Sequence, residues 1–264
     1  DKSAPLVIGT HCQVFYYNSS LEITPSMAYG HSTVLDQLLT EFTDVHIISG
    51  HTHNNTTMKV REGLMEHNTG GSCATWWWTG YYSNGHICKD GAPGGMGVYE
   101  FRDTDLEWYY KGYGEARDFQ LRTYDMNNVK TFFANNSIIR NMIRYYPDRN
   151  DYVNVGNNVV YINVWGWDPE WKVSVKENGV ELNPTRVYMK DPLHTYAYDA
   201  TRVYKNSNNT YTEVLTSSNN YHLFAVNASS ATSTLTIEVT DRFDNKYSET
   251  MSRPKEFAAQ IENL

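Results

Sequence analysis

The chain has 264 residues, enough for one large or two ordinary domains; 40 % are hydrophobic and 20 % charged, a globular and not a disordered balance. The net charge is −8 with no lysine-rich run, which argues against a nucleic-acid partner, since phosphate-backbone binding needs clustered positive charge. No apolar stretch approaches the ~20 residues of a membrane helix, so no membrane span is expected. The 21 Tyr, 7 Trp and 9 Phe, together with many Asn, Ser and Thr, favour β-rich structure and point toward an exported protein.

Residues 5–10 read as a strand that ends at His11, and residues 12–30 read as loop. Val34, Leu35, Leu38, Leu39 and Phe42 have helical spacing, predicting a helix over 31–42. Residues 45–49 are a short buried strand leading into Gly50-His51-Thr52-His53. Strand, helix and strand in this order fit an α/β layer with a crossover. Two histidines at i and i+2 on a glycine turn form a compact metal-ligand pair, because glycine lets the backbone turn sharply. Neutral imidazole suits Zn, Mn and Fe. With His11 closing the first strand, two strands each end in histidine at one sheet edge. The bland reading, a chance His-x-His in a loop, is outweighed by that context.

Residues 57–61 alternate as a half-exposed strand, with 64–67 as its neighbour. Residues 70–80 hold glycines and Trp76-Trp77-Trp78. This segment reads either as a wall of an active-site cleft or, preferred here, as core or interface packing. Residues 98–101 and 106–110 read as paired strands. A boundary is expected near 112–116. Beyond it come short alternating strands at 119–124, 159–165, 171–175, 186–189, 221–226, 235–240 and 246–251, separated by turn residues. That pattern predicts an antiparallel β-sandwich, with one helix over 137–145.

Cys12, Cys73 and Cys88 lack metal-type spacing; Cys73–Cys88 is the one pairing considered, against three free thiols. His46 is expected in the core and His31 as structure, while His86, His194 and His222 default to surface or packing roles. Trp165, Trp167 and Trp171 could form a ligand platform, although sandwich core is the preferred reading.

The lone strand-terminal His11 followed by Gly50-His51-Thr52-His53 resembles the calcineurin-like metallophosphoesterases. The stretches 120–124, 164–173 and 240–247 resemble the C-terminal domain appended to a group of bacterial members. The resemblance implies two divalent ions (Mn, Fe or Zn), with His11 and His51 on one and His53 on the other, and hydrolysis of phosphate esters by two-metal water activation. Asn54 and His67 are expected to contact substrate, and no catalytic side chain is assigned. The family's D-x-H, G-D and G-N-H-[DE] motifs belong N-terminal to His11, where only ten residues stand and none of these motifs occurs. The chain is therefore expected to be the C-terminal portion of a longer enzyme, inactive without the missing half of its domain. Its expected architecture is α+β, mostly β: residues 1–115 are the C-terminal half of a calcineurin-like α/β sandwich, and 116–264 are the β-sandwich. The family also implies a bacterial, periplasmic or cell-surface location. The competing expectation is a non-catalytic ligand- or glycan-binding β-sandwich module with a vestigial half-site.

Overall fold

The computed structural model describes residues 2–18, 20–25, 32–76, 86–206 and 215–258. His31, Trp77 and Trp78 fall outside the described residues.

The first sheet has the order β1-β4-β6-β5, from β1 (Leu6–Cys12), β4 (Val45–Gly50), β6 (Leu64–Asn68) and β5 (Thr56–Arg61). β1, β4 and β6 are parallel and β5 is antiparallel. One face buries Val45, Ile47, Met58 and Leu64 with Phe15 and Leu39, under α1 (Ser32–Leu38) and the small β2–β3 ribbon (Phe15–Tyr17, Ile23–Pro25). The expected helix over 31–42 narrows to α1 and continues as a 3₁₀ turn, Leu39–Glu41. The other face carries Met65 against Leu106 and Trp108 of the hairpin β7–β8 (Gly95–Arg102, Asp105–Gly112).

Two further four-stranded antiparallel sheets follow. One has the order β13-β14-β10-β9, from β9 (Leu121–Asp125), β10 (Val159–Val164), β13 (Thr185–Lys190) and β14 (Asn219–Asn227). The other has the order β12-β11-β15-β16, from β11 (Lys172–Glu177), β12 (Val180–Leu182), β15 (Leu235–Thr240) and β16 (Lys246–Met251). Period-2 alternation sends Val160, Ile162 and Val164 of β10 to a core shared with Val175, Ile237 and Val239 of the second sheet. The opposite face of the first of these sheets is covered by helices, which the strand pattern did not predict beyond α3 (Ser137–Tyr145). α2 (Met126–Asn135) starts where the Asp125 carboxylate accepts the Asn127 amide at 3.2 Å, a cap typically worth about 1 kcal/mol. Asn136 caps α3 by accepting from the amides of Ile138 and Ile139. A helical stretch follows Asp191: Pro192–His194, a wide π-turn at Thr195–Ala200, and Thr201–Asn206.

The two parts interlock through polar groups. The Asp90 carboxylate, fully buried, accepts from the Asn55 amide, from His222 Nε2 at 3.2 Å and from the Ala92 amide at 2.9 Å. Asn163 donates to the Asp90 carbonyl at 2.6 Å, and Arg122 donates to the Gly91 carbonyl at 2.5 Å. Ile87 packs into the apolar core beneath the helices. His194 and His222, expected at the surface or in packing, are 0 % and 1 % exposed, His222 within this network and His194 between Thr75 and Ser217.

The three cysteines are free thiols, so the Cys73–Cys88 pairing is not formed. Cys88 Sγ is buried against the Tyr110 hydroxyl, and Cys73 Sγ instead lies 3.7 Å from His53 Nδ1. Trp165 and Trp171 are buried, with Trp171 stacked on Tyr247 and the half-buried Trp167 beneath the Arg186 guanidinium. Of those three tryptophans only Trp167 keeps exposed surface.

Candidate metal centre

Parallel strands deliver their C-terminal ends to the same edge of a sheet, which is where open α/β sheets bind ligands. β1 and β4 do this here. Gly9 pairs with Ile48 but Cys12 with Gly50, so β1 carries one extra residue at its end. Such a bulge re-aims side chains, and it brings His11 and Cys12 to face the residue after β4. His11 Nε2 and His51 Nδ1 approach to 2.9 Å, with the rings edge to face. Among the described residues, His11, Cys12 and His51 place one donor atom each within 4.8 Å of one another.

The arrangement fits a divalent ion on chemical grounds. Two nitrogens bound ~2.1 Å from one ion at right angles lie ~3 Å apart. Imidazole and thiolate are both transition-metal donors. Both histidines are solvent-accessible, so an ion can enter.

The turn differs from the glycine device expected from the sequence. The left-handed residues are His51 (φ 69°) and His53 (φ 60°), and Gly50 is not among the residues of positive φ. A non-glycine residue in this region costs of order 1 kcal/mol or more, and such strain clusters at functional sites. Neighbours hold the turn in place. The Asn68 amide donates to the Gly50 carbonyl at 2.7 Å and to Ser49 Oγ at 3.2 Å, and its oxygen accepts from the Thr52 hydroxyl. Glu66, fully buried, accepts from the amides of Val14 and Phe15 at 2.8 and 2.7 Å and from Ser49 Oγ at 2.7 Å. That contact fixes the chain just beyond His11. Burial raises the Glu66 carboxyl above its ordinary range, and the three donors pull the other way.

His53 stands outside the His11–Cys12–His51 triplet. Its Nδ1 lies 2.6 Å from the Ala74 carbonyl. A carbonyl only accepts, so Nδ1 carries the proton and Nε2 keeps its lone pair for a ligand. Fixing a tautomer in this way is what supporting groups do around metal-binding histidines. The Lys89 amide donates to the His53 carbonyl at 3.1 Å, tying this turn to the interlocking loop.

The two expected substrate contacts are placed differently from each other. Asn54 is half-buried and its side chain donates to Ser218 Oγ at 3.2 Å, at the join with the C-terminal part. His67 is 1 % exposed. Its Nε2 lies 2.9 Å from His46 Nδ1, and its ring meets Trp108 and Tyr99 edge-on. Asp44 lies 3.1 Å from His46 Nε2, so His46 donates there and accepts from His67. Burial holds both histidines below the ordinary imidazole range, His67 far below. The structure thus brings His11 and His51 together, sets His53 on the same turn, and leaves His67 in a buried cluster. Cys12, Asn68, Glu66 and Asp90 escaped the sequence reading. Only Cys12, beside His11, carried a local signal.

The family described as C terminal of Calcineurin-like phosphoesterase matches residues 66–247. The chain belongs to this family. No curated protein and no solved structure matches it. The match starts beyond Gly50-His51-Thr52-His53 and runs across the boundary expected near residue 115. Membership identifies the C-terminal portion of a calcineurin-like phosphoesterase, and it implies a phosphate-ester substrate and divalent metal use by the full protein.

Proposed function

We propose that this chain supplies the histidine side of the dinuclear centre of a metal-dependent phosphoesterase. His11 and His51 hold one divalent ion and His53 the other, while Cys12 lies within reach of the first. The observation that carries the reading is the 2.9 Å approach of His11 Nε2 to His51 Nδ1 at the strand ends. Divalent ions at such a centre supply Lewis-acid activation of water and of phosphoryl oxygens. The chain's own contribution is orientation. Asn68 and Glu66 fix the two loops, and the Ala74 carbonyl sets the His53 tautomer. Asn54, which follows His53 on the turn and donates to Ser218, is assigned a substrate contact in the same reading. In this reading the remaining ligands come from the D-x-H, G-D and G-N-H-[DE] segments, so the chain alone turns over little or no substrate.

Residues 1–115 form the C-terminal half of the phosphoesterase domain in the same reading, and 116–264 form a β-sandwich with an added helical layer. The two face-to-face sheets and their shared core support that division. An exported location belongs to the reading as well, supported by composition. Against the rival glycan-binding reading stand Trp165 and Trp171, 1 % and 7 % exposed, which leave only the half-buried Trp167 for a platform.

Titration with Mn²⁺ and Zn²⁺ tests the proposal. The wild-type chain is expected to bind at least one ion, and His51→Ala to weaken that site at least a hundredfold with unchanged circular dichroism. Adding the segments that carry the three upstream motifs should restore metal-dependent phosphatase turnover. Equal metal binding by wild type and His51→Ala would overturn the ligand assignment. Full turnover by the chain alone would overturn the half-site.

A further inference from the structure

The Trp76 and Lys89 side chains stand beside His53, and neither side chain hydrogen-bonds the turn. Trp76 is 42 % exposed, although tryptophan is ordinarily among the better-buried side chains. Its ring centroid lies 6.0 Å from that of His53 and 6.1 Å from that of Tyr198. Lys89 Nζ lies 5.0 Å from the Trp76 centroid. The Lys89 backbone amide is bonded to the His53 carbonyl, so this lysine is tied to the metal-binding turn and not to a loose loop.

Among the described residues no carboxylate compensates the charge on Lys89. Lys2, Lys59, Lys190, Lys246 and Lys255 each pair with a carboxylate within 4.0 Å. Lys89 has no carboxylate partner among the described residues. The adjacent Asp90 is committed to Asn55, Ala92 and His222. A half-buried ammonium poised over an indole, on the residue whose backbone is bonded to His53, is an anion acceptor. The exposed indole next to it is a stacking surface for a flat group.

We propose that Lys89 and Trp76 form a substrate subsite beside His53, in which Lys89 takes an anionic phosphoryl oxygen and Trp76 stacks on an aromatic group esterified to the phosphate. The substrate class is an aryl phosphate ester. The inference rests on the metal-centre reading only for where the phosphoryl group lies.

Calorimetric titration of the whole chain, metal-free and Mn²⁺-loaded, tests it with phenyl phosphate and inorganic phosphate as probes. Metal stoichiometry is measured separately, and circular dichroism checks the fold of each variant. Lys89→Met should weaken both probes at least tenfold without changing metal stoichiometry, and Lys89→Arg should restore most of the loss. Trp76→Ala should weaken phenyl phosphate about tenfold and leave inorganic phosphate unchanged, and Trp76→Phe should retain the preference. Unchanged affinities in Lys89→Met, or no phenyl phosphate binding by the Mn²⁺-loaded wild type, would overturn the subsite while leaving the metal centre intact. If the wild type binds no metal, the metal-centre reading fails and the metal-free titration decides the subsite. Loss on Lys89→Met there supports it, and indifference or no binding refutes it.

Discussion

Asp90→Asn replaces one carboxylate oxygen with an amide nitrogen in a site built entirely of donors. Four groups converge on Asp90: the Asn55 amide, Asn55 Nδ2 at 3.2 Å, His222 Nε2 at 3.2 Å and the Ala92 amide at 2.9 Å. Burial acts to raise the Asp90 carboxyl, and His222 with the two amides more than offsets it, so the group titrates below its ordinary range. The least damaging orientation of the asparagine keeps its oxygen toward Asn55 and His222 and turns its NH₂ toward the Ala92 amide. That strands one buried donor, at about 1–3 kcal/mol, and weakens three charge-assisted bonds by about 1 kcal/mol each. Removing a buried charge returns part of this, leaving a net cost of about 2–4 kcal/mol. Urea unfolding reads it directly: with a slope near ~3 kcal/mol/M, the midpoint should fall by about 1 M. Metal affinity at the histidine turn should fall as well, because Asn55 follows His53 and Asn54 in the chain. A midpoint shift below about 0.2 M would refute the reasoning, since it would mean that the four donors do not need the carboxylate.

Stability should also fall between pH 6.5 and 4. Burial lowers His194 to about 4 and depresses His46 and His67, so the unfolded chain takes up protons that the native imidazoles refuse. The contribution is fully present above the unfolded value near ~6.5, and His194 alone loses about 3 kcal/mol as the pH drops to 4. Urea midpoints that stay flat from pH 7 to 5 would contradict this. Gly91→Ala should abolish folding or cost more than about 3 kcal/mol, because the new Cβ would meet Asp191 Cγ at 2.1 Å at a φ of +82°. Normal thermal unfolding of that variant would be the disproof. Glu66→Leu should cost about 2–4 kcal/mol by stranding the Val14 and Phe15 amides. It should weaken metal binding at His11 too, so a titration indistinguishable from wild type would show that the loop needs no such anchor.

Local pattern carried the histidine turn and most strands. The apolar run before Gly50 became β4, the alternation at 57–61 became β5, and the Ile138, Ile139, Met142 and Ile143 spacing became α3 with its Asn136 cap. α2 was harder to see because Met126, Val129 and Phe133 are diluted by Asn127, Asn128 and Asn135, and only the Asp125 cap marks its start. Residues 192–206 contain Thr195, Tyr196 and Tyr198, poor helix formers that go helical because tertiary burial overrides propensity. The histidines of the proposed ligand set were legible, while their supports were not. Glu66 is 52 residues from Val14 in the chain, and Asp90 is 132 from His222. No window of sequence holds both partners of such a contact. His67 misled for a related reason: alternation along β6 turns it to the face opposite Asn68, toward Trp108.

The polar join through residues 86–95 limits how the two parts can change independently. Asp90 and Gly91 answer to Arg122, Asn163 and His222, and Ile87 is buried in the other part's core, so this loop is structurally a graft of the C-terminal part. Recombination between relatives at the proposed boundary near residue 115 would separate each donor from its acceptor. A functional chimera would have to carry residues 86–95 along with the C-terminal part, and the turn at His53 would then be set by whichever parent contributed that loop.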